Sequence, residues 1–509
     1  MRAILLALLL IAGSALAQGA AKPTRPFVTY LCAAGGQRGT TVQIIAGGQS
    51  LRGANRVVLS GEGVEAKVIR FQRVPWLLKT EDRRVVGQQL RRLAARKVTG
   101  KAQEPRRAPK KKKKKKGPEQ EPAALPDHPM LRDLESMTAK ELRRVAYEFL
   151  DPARRSQLSP QIAEQVVIEV RIAADAAPGE RELRVGTPRG LSNPVVFRVG
   201  SWPELYETEP NDYSTRRQKT LEPPCVVNGK VSFKDLDRFT LRARRGQKLV
   251  IEARARELVP YVADAVPGWF QATLALYDDQ GNEVSIVDDF RIDPDPVILC
   301  DVPADGDYTL EIRDAIYRGR DDFVYRITVA ERPFITSIFP LGGQAGSPTV
   351  ARIEGWNLPW DEVVLDTWTG LRKTQRSAWN SGDRWTNVVT YAVDELPDLE
   401  EIPGTRQSLS LPLIVNGRIG RPGEIDLYQF DGRAGGEVVA EIEARRLGSP
   451  LDSVLQLLDE SGRVLAWNDD HPDKRAGLVT HQADSHVRAT LPRNGTYLIR
   501  VADAQSHGG

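Results

Sequence analysis

An acidic hexapeptide is the part of this sequence best suited to bind a metal ion. Residues 207–212 read Glu-Thr-Glu-Pro-Asn-Asp, so three carboxylates and one amide oxygen fall within six residues, at Glu207, Glu209, Asn211 and Asp212. Calcium takes about six to eight oxygen ligands and tolerates irregular loops. The segment predicts a calcium site, with a solvated acidic linker as the alternative, because Pro-Asn-Asp is also ordinary turn chemistry.

The sequence carries no motif that nominates a catalytic centre. It lacks a G-x-S-x-G elbow, an H-E-x-x-H zinc helix, a P-loop and a dinucleotide fingerprint. Three of the five histidines lie near one another, at His471, His481 and His486, but no nucleophile accompanies them. We therefore predict that the protein is not an enzyme.

The three cysteines are too few to hold a chain of 509 residues together by disulfides. Cys225 and Cys300 fall within one predicted domain and could pair in an oxidising compartment. The alternative is two separate buried thiols.

A basic segment accounts for the net charge of +5. Between Arg83 and Gly117 there are sixteen Lys or Arg and a single acid, and seven lysines are consecutive, Lys110–Lys116. This composition predicts a disordered loop, either a solvated linker or a tether to an anionic surface. Specific nucleic-acid binding needs a basic face on a folded module, so we expect no specific nucleic-acid partner.

Residues 1–17 have the pattern of a secretory signal peptide. Arg2 precedes an apolar run that ends in Ala15-Leu16-Ala17. The run is shorter than the roughly 20 residues that span a bilayer, and no later segment is apolar enough to do so. We expect cleavage after Ala17 and an exported protein that is periplasmic, on the cell surface or extracellular.

Two kinds of segment each occur twice, which indicates a duplicated pair of modules in the order A, B, A′, B′. For the A modules, Pro26-Phe27-Val28-Thr29 recurs as Pro333-Phe334-Ile335-Thr336. For the B modules the matches are Val227-Asn228-Gly229 with Val415-Asn416-Gly417, Asp237-x-Phe239-x-Leu241 with Asp426-x-Tyr428-x-Phe430, and Pro303-x-x-Gly306-x-Tyr308 with Pro492-x-x-Gly495-x-Tyr497.

The predicted fold class is all-β, with tandem β-sandwiches and one helical or disordered basic insertion. Apolar and polar residues alternate in short runs such as Leu249–Ala255 and Tyr308–Ile312, separated by Asp/Asn/Gly turns. The insertion is residues 75–160. Within it, Thr138-Ala139-Lys140-Glu141 is a capping box, and the helical spacing that follows predicts a helix that ends at Asp151-Pro152.

Two family resemblances assign these modules. Module A′ resembles IPT/TIG-type immunoglobulin-like domains, through Pro333–Ile338 followed by Pro340 and the strand Val350–Ile353. Module B resembles the bacterial pre-peptidase C-terminal (PPC) domain, a jelly-roll-like sandwich, through Asp237-x-Phe239, Asp278-x-x-Gly281 and Gly306-x-Tyr308. The implied domains are Ig-like 26–200, interrupted by 75–160; PPC-type 203–331; Ig-like 332–405; and PPC-type 406–509.

The resemblance also implies a ligand set. In the related clostridial collagen-binding domains an E-x-E-P-N-D linker binds calcium together with acids of a following strand, which correspond here to Asp235 and Asp237. The implied ligands are Glu207, Glu209, Asn211, Asp212, Asp235 and Asp237. Module B′ has only Glu400-Glu401 nearby, so we predict no equivalent site there.

PPC-type modules are accessory parts of secreted proteins, often beside peptidases. The resemblance therefore implies a non-catalytic exported protein with binding or adhesion modules. The alternative is the N-terminal accessory part of a secreted hydrolase, a peptidase, whose catalytic domain follows residue 509. The implied partner is an extracellular protein, a glycan or a cell-wall polymer, and an anionic surface could be held through Lys110–Lys116.

Module B′ stops before its last strand. Module B continues past Gly319 into Phe323–Val329, whereas the matching part of module B′ would follow Gly509. We therefore expect an unpaired sheet edge in module B′ and a truncated sequence.

Overall fold

The protein is described by a computed structural model over residues 25–73, 80–99, 125, 131, 134–150, 160–208, 211, 219–232, 235–259, 269–368, 374–382, 384–471 and 483–508. The chain divides into two compact units at Ser201 and Trp202. Strands dominate both units, which confirms the predicted all-β class of tandem sandwiches. The predicted signal peptide and Lys110–Lys116 lie outside the described residues.

Module A lies in the first unit and forms two sheets. Its strands are β1 (Phe27–Cys32), β2 (Gly35–Gln37), β3 (Thr41–Gln49), β4 (Arg56–Leu59), β5 (Val64–Arg73), β6 (Glu164–Ile172), β7 (Gly179–Thr187), β8 (Gly190–Leu191) and β9 (Val195–Gly200). One sheet has the order β1-β3-β6-β5 and the other the order β2-β9-β7-β4, with β8 paired to β7.

The insertion interrupts module A between two neighbouring strands. β5 and β6 are antiparallel and aligned from Val64 opposite Ile172 to Arg73 opposite Glu164. The chain therefore leaves and re-enters the sheet at adjacent positions, and the ladder is complete without the insertion.

The insertion contains two described helices, α1 (Thr80–Thr99) and α2 (Ala139–Leu150). The carbonyl of Thr138 accepts the first hydrogen bond of α2, from the N–H of Leu142 at 3.0 Å. The helix ends at Leu150, directly before the Asp151-Pro152 pair, which lies outside the described residues. No helix among the described residues is long and apolar enough to cross a membrane.

Helix α1 corrects the interpretation of the basic segment. The stretch from Arg83 to Lys97 is helical and is not part of a disordered loop. The reason is that Val86, Leu90 and Leu93 recur at helical spacing among the basic residues and are buried against α2. The repeated positive charges masked this apolar stripe in the composition.

Module B is a sandwich of two sheets. Its strands are β10 (Glu204–Tyr206), β11 (Cys225–Lys230), β12 (Asp237–Ala243), β13 (Lys248–Arg254), β14 (Ala272–Tyr277), β15 (Glu283–Val287), β16 (Val297–Asp301), β17 (Gly306–Asp314) and β18 (Val324–Ala330). The sheet orders are β10-β11-β18-β13-β16 and β12-β17-β14-β15. The inward residues of both sheets form one buried apolar cluster, which includes Val227, Phe239, Ile251 and Ile327.

Module A′ repeats the edge contacts of module A. Its strands are β19 (Phe334–Phe339), β20 (Gly342–Gln344), β21 (Thr349–Trp356), β22 (Glu362–Leu365), β23 (Thr374–Ser377), β24 (Asn380–Ser381), β25 (Arg384–Trp385) and β26 (Val389–Asp394). The Asn387 side chain bonds the backbone N–H and carbonyl of Ile335 at 2.7 and 2.9 Å. Asn193 makes the same two bonds to Val28 in module A, both at 2.8 Å.

Module B′ contains β27 (Asp398–Glu400), β28 (Arg406–Ser408), β29 (Ile414–Asn416), β30 (Ile425–Gly432), β31 (Glu437–Glu441), β32 (Ser453–Asp459), β33 (Val464–Asn468), β34 (His486–Thr490) and β35 (Gly495–Asp503). Its larger sheet has the order β28-β30-β35-β32-β33. Where module B has a five-stranded sheet, the described residues of module B′ form two separate pairs, β27-β29 and β31-β34. Among the residues that the structure describes, no strand pairs with both β29 and β31 as β18 pairs with both β11 and β13.

The cysteines of module B are separate buried thiols. Cys225 lies on β11 and Cys300 on β16, and two strands, β18 and β13, lie between them in the sheet. Neighbouring strands are about 4.8 Å apart, so the two Cα atoms are far beyond the roughly 7 Å limit for a disulfide. Of the two alternatives, the structure selects the unpaired thiols.

Candidate functional site

Glu207 is held at the end of β10 by the backbone of β11, its parallel neighbour. The Glu207 N–H donates to the carbonyl of Asn228 at 3.0 Å, and the Lys230 N–H donates to Glu207 Oε1 at 3.0 Å. Gly229 leaves the space that the carboxylate needs, because a Cβ at this position would collide with Glu207 Oε2 and with the Tyr325 hydroxyl. Asn228 and Gly229 of the repeated Val-Asn-Gly motif therefore help to position the Glu207 carboxylate.

A second buried acid, Asp237, shares a tyrosine with Glu207. Asp237 begins β12 and is fully buried. The Tyr325 hydroxyl on β18 lies 2.6 Å from Asp237 Oδ2 and 3.0 Å from Glu207 Oε2, and the two carboxyl groups hydrogen-bond each other. A hydroxyl has one proton to donate. These contacts therefore require either a proton on one carboxyl group or a cation beside them.

The environment raises the pKa of both acids. Burial raises the pKa of Asp237 well above its usual range, and the negative charges of Glu207 and Asp235 raise it further. Burial also raises the pKa of Glu207, although its hydrogen bonds to Asp237 and Lys230 act in the opposite direction. Asp235 lies in the turn before β12, where its Oδ2 accepts the Ser232 N–H at 2.9 Å.

Two of the predicted ligands have buried polar atoms that no described residue satisfies. They are Asp237 Oδ1 and both polar atoms of the Asn211 side chain, which is fully buried. Buried polar groups in native proteins normally have a partner, such as protein, water or an ion. Glu209 and Asp212, the other two acids of the linker, lie outside the described residues.

The structure thus brings together three of the six predicted ligands, Glu207, Asp235 and Asp237. Within the described ranges, however, no group of three or more His, Cys, Asp or Glu side chains is already arranged to hold a metal ion. Sequence reasoning did not find Tyr325, because it lies on a strand remote from the linker.

Module B′ repeats the acidic core of this site, which the sequence analysis did not foresee. The Glu401 N–H donates to the carbonyl of Asn416 at 2.9 Å, and the Arg418 N–H donates to Glu401 Oε2 at 2.7 Å. Burial raises the pKa of Asp426 to about 7, with further contributions from the charges of Glu401 and Glu424. Glu401, Glu424 and Asp426 therefore correspond to Glu207, Asp235 and Asp237.

A short sequence match signals this correspondence. Pro203-Glu204-Leu205-Tyr206-Glu207 recurs as Pro397-Asp398-Leu399-Glu400-Glu401, at a spacing that differs from the rest of the B repeat. The linker after the match has diverged, since the positions of Glu209, Asn211 and Asp212 are occupied by proline, threonine and arginine in module B′. Module B′ retains three corresponding acids, of which Asp426 is buried and the two glutamates are partly exposed, and it lacks the additional oxygen ligands.

Among known proteins, no family model matches the chain. Over 84 residues the chain is 38% identical to a probable subtilase-type serine protease of Deinococcus radiodurans, a match that covers 16% of this chain and 10% of that protein. The chain thus matches about a tenth of the length of this curated relative.

Solved structures show only distant likeness. The secreted serine protease VesC of Vibrio cholerae aligns with 9% identity and a TM-score of 0.15, over 34% of this chain and 37% of that one. Bacteroides ovatus SGBP-B, in complex with a mixed-linkage heptasaccharide, aligns with 9% identity and a TM-score of 0.16, over 94% and 74% of the two chains. Similarity at this level carries no argument about function.

Proposed function

We propose that this chain is an exported, non-catalytic protein whose β-sandwich modules bind an extracellular partner, and that calcium fixes residues 207–212 to module B. The calcium part of the proposal depends on one observation. Asp237 is a fully buried acid with an unpartnered oxygen, crowded by Glu207 and Asp235. A positive charge within a few ångströms of crowded carboxylates stabilises their charged form.

The donor set fits calcium. Glu207, Asp235 and Asp237 supply carboxylate oxygens, and Asn211 supplies an amide oxygen that is buried and unpartnered among the described residues. Glu209 and Asp212 belong to the same linker. Calcium prefers oxygen ligands of this kind, and when bound it supplies the positive charge that allows Glu207 and Asp237 to lose their protons. The expected result of calcium binding is that the linker is held against module B.

The binding role is supported by the architecture. Repeated sandwich modules that resemble IPT/TIG and PPC domains are typical accessory parts of exported proteins. The partner class under this proposal is an extracellular protein, a glycan or a cell-wall polymer. A glycan and cell-wall array probed with the intact mature protein tests it, and binding to no array component would leave an extracellular protein as the proposed partner.

A second function is favoured by a specific observation, the 84-residue match to a probable subtilase-type protease. Under this alternative the modules are the accessory part of a secreted peptidase. The two proposed functions are distinguished by isolating the protein from its native source and measuring its intact mass and its peptidase activity. A larger mass with serine-inhibitor-sensitive activity would support the peptidase, and an inactive product no larger than this chain would support the binding protein.

Calcium is tested by thermal unfolding of the full chain with calcium or with a chelator. A ligand that binds only the native state must raise the unfolding temperature. We expect the rise to disappear in the double variant Glu209→Gln/Asp212→Asn, which leaves the described carboxyl cluster intact. Glu401→Gln in module B′ is the matched control and should retain the rise. An unchanged unfolding temperature in the natural sequence would remove the calcium proposal.

A further inference from the structure

The outer face of the larger sheet of module B′ differs in chemistry from its counterpart in module B. All five strands of this sheet, β28-β30-β35-β32-β33, lie among the described residues. Side chains alternate between the two faces of a strand, and Leu455, Leu457 and Ile499 face the apolar core. Gln456 and Arg500, which alternate with them, therefore lie on the outer face.

One row of side chains crosses the whole of this outer face. Strand pairing places Arg406 opposite Leu427, Leu427 opposite Arg500, Arg500 opposite Gln456, and Gln456 opposite Trp467. Neighbouring strands are about 4.8 Å apart, so the row is roughly 19 Å long. Trp467 is 60% exposed, Arg406 is exposed and Arg500 is partly exposed. The row thus presents an indole ring at one edge of the sheet and two guanidinium groups farther along it.

The positive charge of this row is not neutralised by the described residues. The Arg500 Nη1 donates to Gln456 Oε1 at 2.9 Å, and within the described ranges no carboxylate forms a salt bridge with Arg500 or Arg406. The neighbouring rows also contain no acid; they are Ile425, Ala502 and Val454 on one side, and Ser408, Gln429, Leu498, Leu458 and Val464 on the other. Acids occur only near the strand ends, such as Asp431 on β30 and Asp469 directly after β33.

Module B balances its charges at the same positions. The equivalent row there consists of Arg238, Glu311, Ala275 and Ile286. The repeat places Glu311 where module B′ has Arg500, and the Glu311 side chain is 5% exposed and pairs with Arg238 at 2.7 Å and with Arg313 at 3.5 Å. The unneutralised guanidinium groups and the exposed tryptophan are therefore features of module B′ that module B lacks.

These features restrict what can bind to the face. A second copy packed face to face would bring like charges together, which is unfavourable. The inner strands β30, β35 and β32 are each paired on both sides, so a peptide cannot be added to them as a strand, which requires a free sheet edge. A ligand on this face must be held by the side chains alone.

The side chains of the row match a polymer of acidic sugars. An exposed indole ring packs against flat apolar surfaces, and one face of a sugar ring is such a surface. Guanidinium groups form charge-assisted hydrogen bonds with anionic oxygens, and the Gln456 amide can exchange hydrogen bonds with hydroxyl groups. A linear chain of sugar rings with anionic groups supplies all of these partners along the length of the row.

We propose that the outer face of module B′ binds an acidic polysaccharide. The chain lies along the row, with one sugar ring stacked on Trp467 and anionic groups paired with Arg500 and Arg406. This assignment rests on the proposed binding function, of which it names the partner class, and it is independent of calcium in module B.

The test uses the full chain with each of Lys110–Lys116 replaced by serine, because a run of lysines binds polyanions without a folded site. Two matched pairs of probes are titrated by calorimetry: oligogalacturonate with its neutral methyl ester, and dextran sulfate with dextran. At least one acidic probe should bind saturably and at least about tenfold more tightly than its neutral partner, since only the acidic form pairs with the guanidinium groups. The two pairs distinguish carboxylate from sulfate as the anionic group.

Two substitutions test the row itself. Trp467→Ala and Arg500→Gln should each weaken binding of the acidic probe at least about fivefold, because each removes one anchor of the ligand. Ile286→Ala, at the position of module B that corresponds to Trp467, should leave the affinity unchanged. Arg433→Gln makes the same change of charge as Arg500→Gln in an exposed turn of module B′ and should also leave it unchanged.

Several outcomes would overturn this assignment. They are a lack of binding to both acidic probes, equal affinity for the acidic and neutral members of both pairs, and equal losses in Arg433→Gln and Arg500→Gln. Binding of a neutral glycan or an extracellular protein that Trp467→Ala and Arg500→Gln do not change would also overturn it, while the proposed binding function would stand.

Discussion

Modules B and B′ align in register over most of their strands, yet they differ at the strand between β11 and β13. In module B that strand buries Val227 completely and neutralises Glu204, whose side chain is 3% exposed. In module B′ the same positions, Val415 and Asp398, remain partly or largely exposed. Among the described residues, β29 and β31 keep the outer pairings of β11 and β13. The burial of Val227 and the charge pairing of Glu204 involve β18.

The largest difference in stability between the two modules is expected when Glu204 and Asp398 are substituted. Glu204→Gln should lower the free energy of unfolding of module B by about 3–5 kcal/mol, because it leaves Arg326 buried without a full charge partner. Asp398→Asn should change module B′ by less than about 0.5 kcal/mol, since its carboxylate is exposed. Native-state hydrogen exchange of β11 and β29 amides measures each module separately. Equal effects would show that β18 does not create the difference.

The core residues should show a smaller effect of the same sign. Val227→Ala removes two fully buried methyl groups and should cost about 2 kcal/mol in module B. Val415→Ala at the matched position should cost less than about 1 kcal/mol, because this side chain is already partly in contact with water. The ratio of the two losses, from the same exchange experiment, is the quantity to compare. A larger loss in module B′ would mean that Val415 is fully buried in solution.

The acidic clusters predict that the stability of both modules depends on pH, and that calcium removes this dependence in module B only. The pKa of Asp426 is about 7, above the roughly 3.9 of an unfolded chain, so the native state retains a proton that the unfolded state releases. Its contribution to stability is complete below about pH 4 and is lost as the pH rises through 7. Asp426→Asn should abolish a loss of about 1–2 kcal/mol, after allowance for solvent screening.

Asp237 should behave in the same direction in module B, because burial raises its pKa. Calcium at that site would replace the proton and remove the dependence there, while leaving it unchanged in module B′. Exchange-derived stabilities between pH 4 and 8, with calcium and with chelator, give the answer. A pH dependence in module B that ignores calcium would count against the metal.

The smallest difference in stability between the two modules is expected at one exposed cross-strand pair. Arg242 pairs with Asp307 at 2.9 Å in module B, and the aligned rung of module B′ pairs Thr496 with Asp431 at 3.0 Å. Asp307→Asn should cost at most about 0.5 kcal/mol and only at low salt, because both side chains are exposed. Thr496→Ala should have an effect of similar size that is independent of salt. Salt sensitivity at both rungs would contradict this assignment.

Much of this architecture could be predicted from the sequence. Period-two alternation located strands such as β13 and β17, and repeated motifs such as Val227-Asn228-Gly229 gave the duplication. Helix α2 followed from its capping box and apolar spacing. These features depend on residues close together in the chain, so the local sequence pattern predicts the local structure directly.

What the sequence did not predict depends on residues distant in the chain. The hydroxyl of Tyr325 reaches Glu207 across 118 positions, and only strand pairing brings them together. The acidic trio of module B′ was missed because a change in spacing between β27 and β30 conceals it. Helix α1 was missed because its basic composition outweighed three apolar residues. Glu209 and Asp212 stay predictions, since they lie outside the described residues.

The antiparallel pairing of β5 with β6 shows where a foreign domain could be inserted into this protein. A polypeptide spliced at that hairpin tip needs only to start and finish a few ångströms apart, as neighbouring strands do. Residues 75–160 are therefore a suitable insertion site for a reporter domain with adjacent termini, and their replacement should leave the sheet β1-β3-β6-β5 folded.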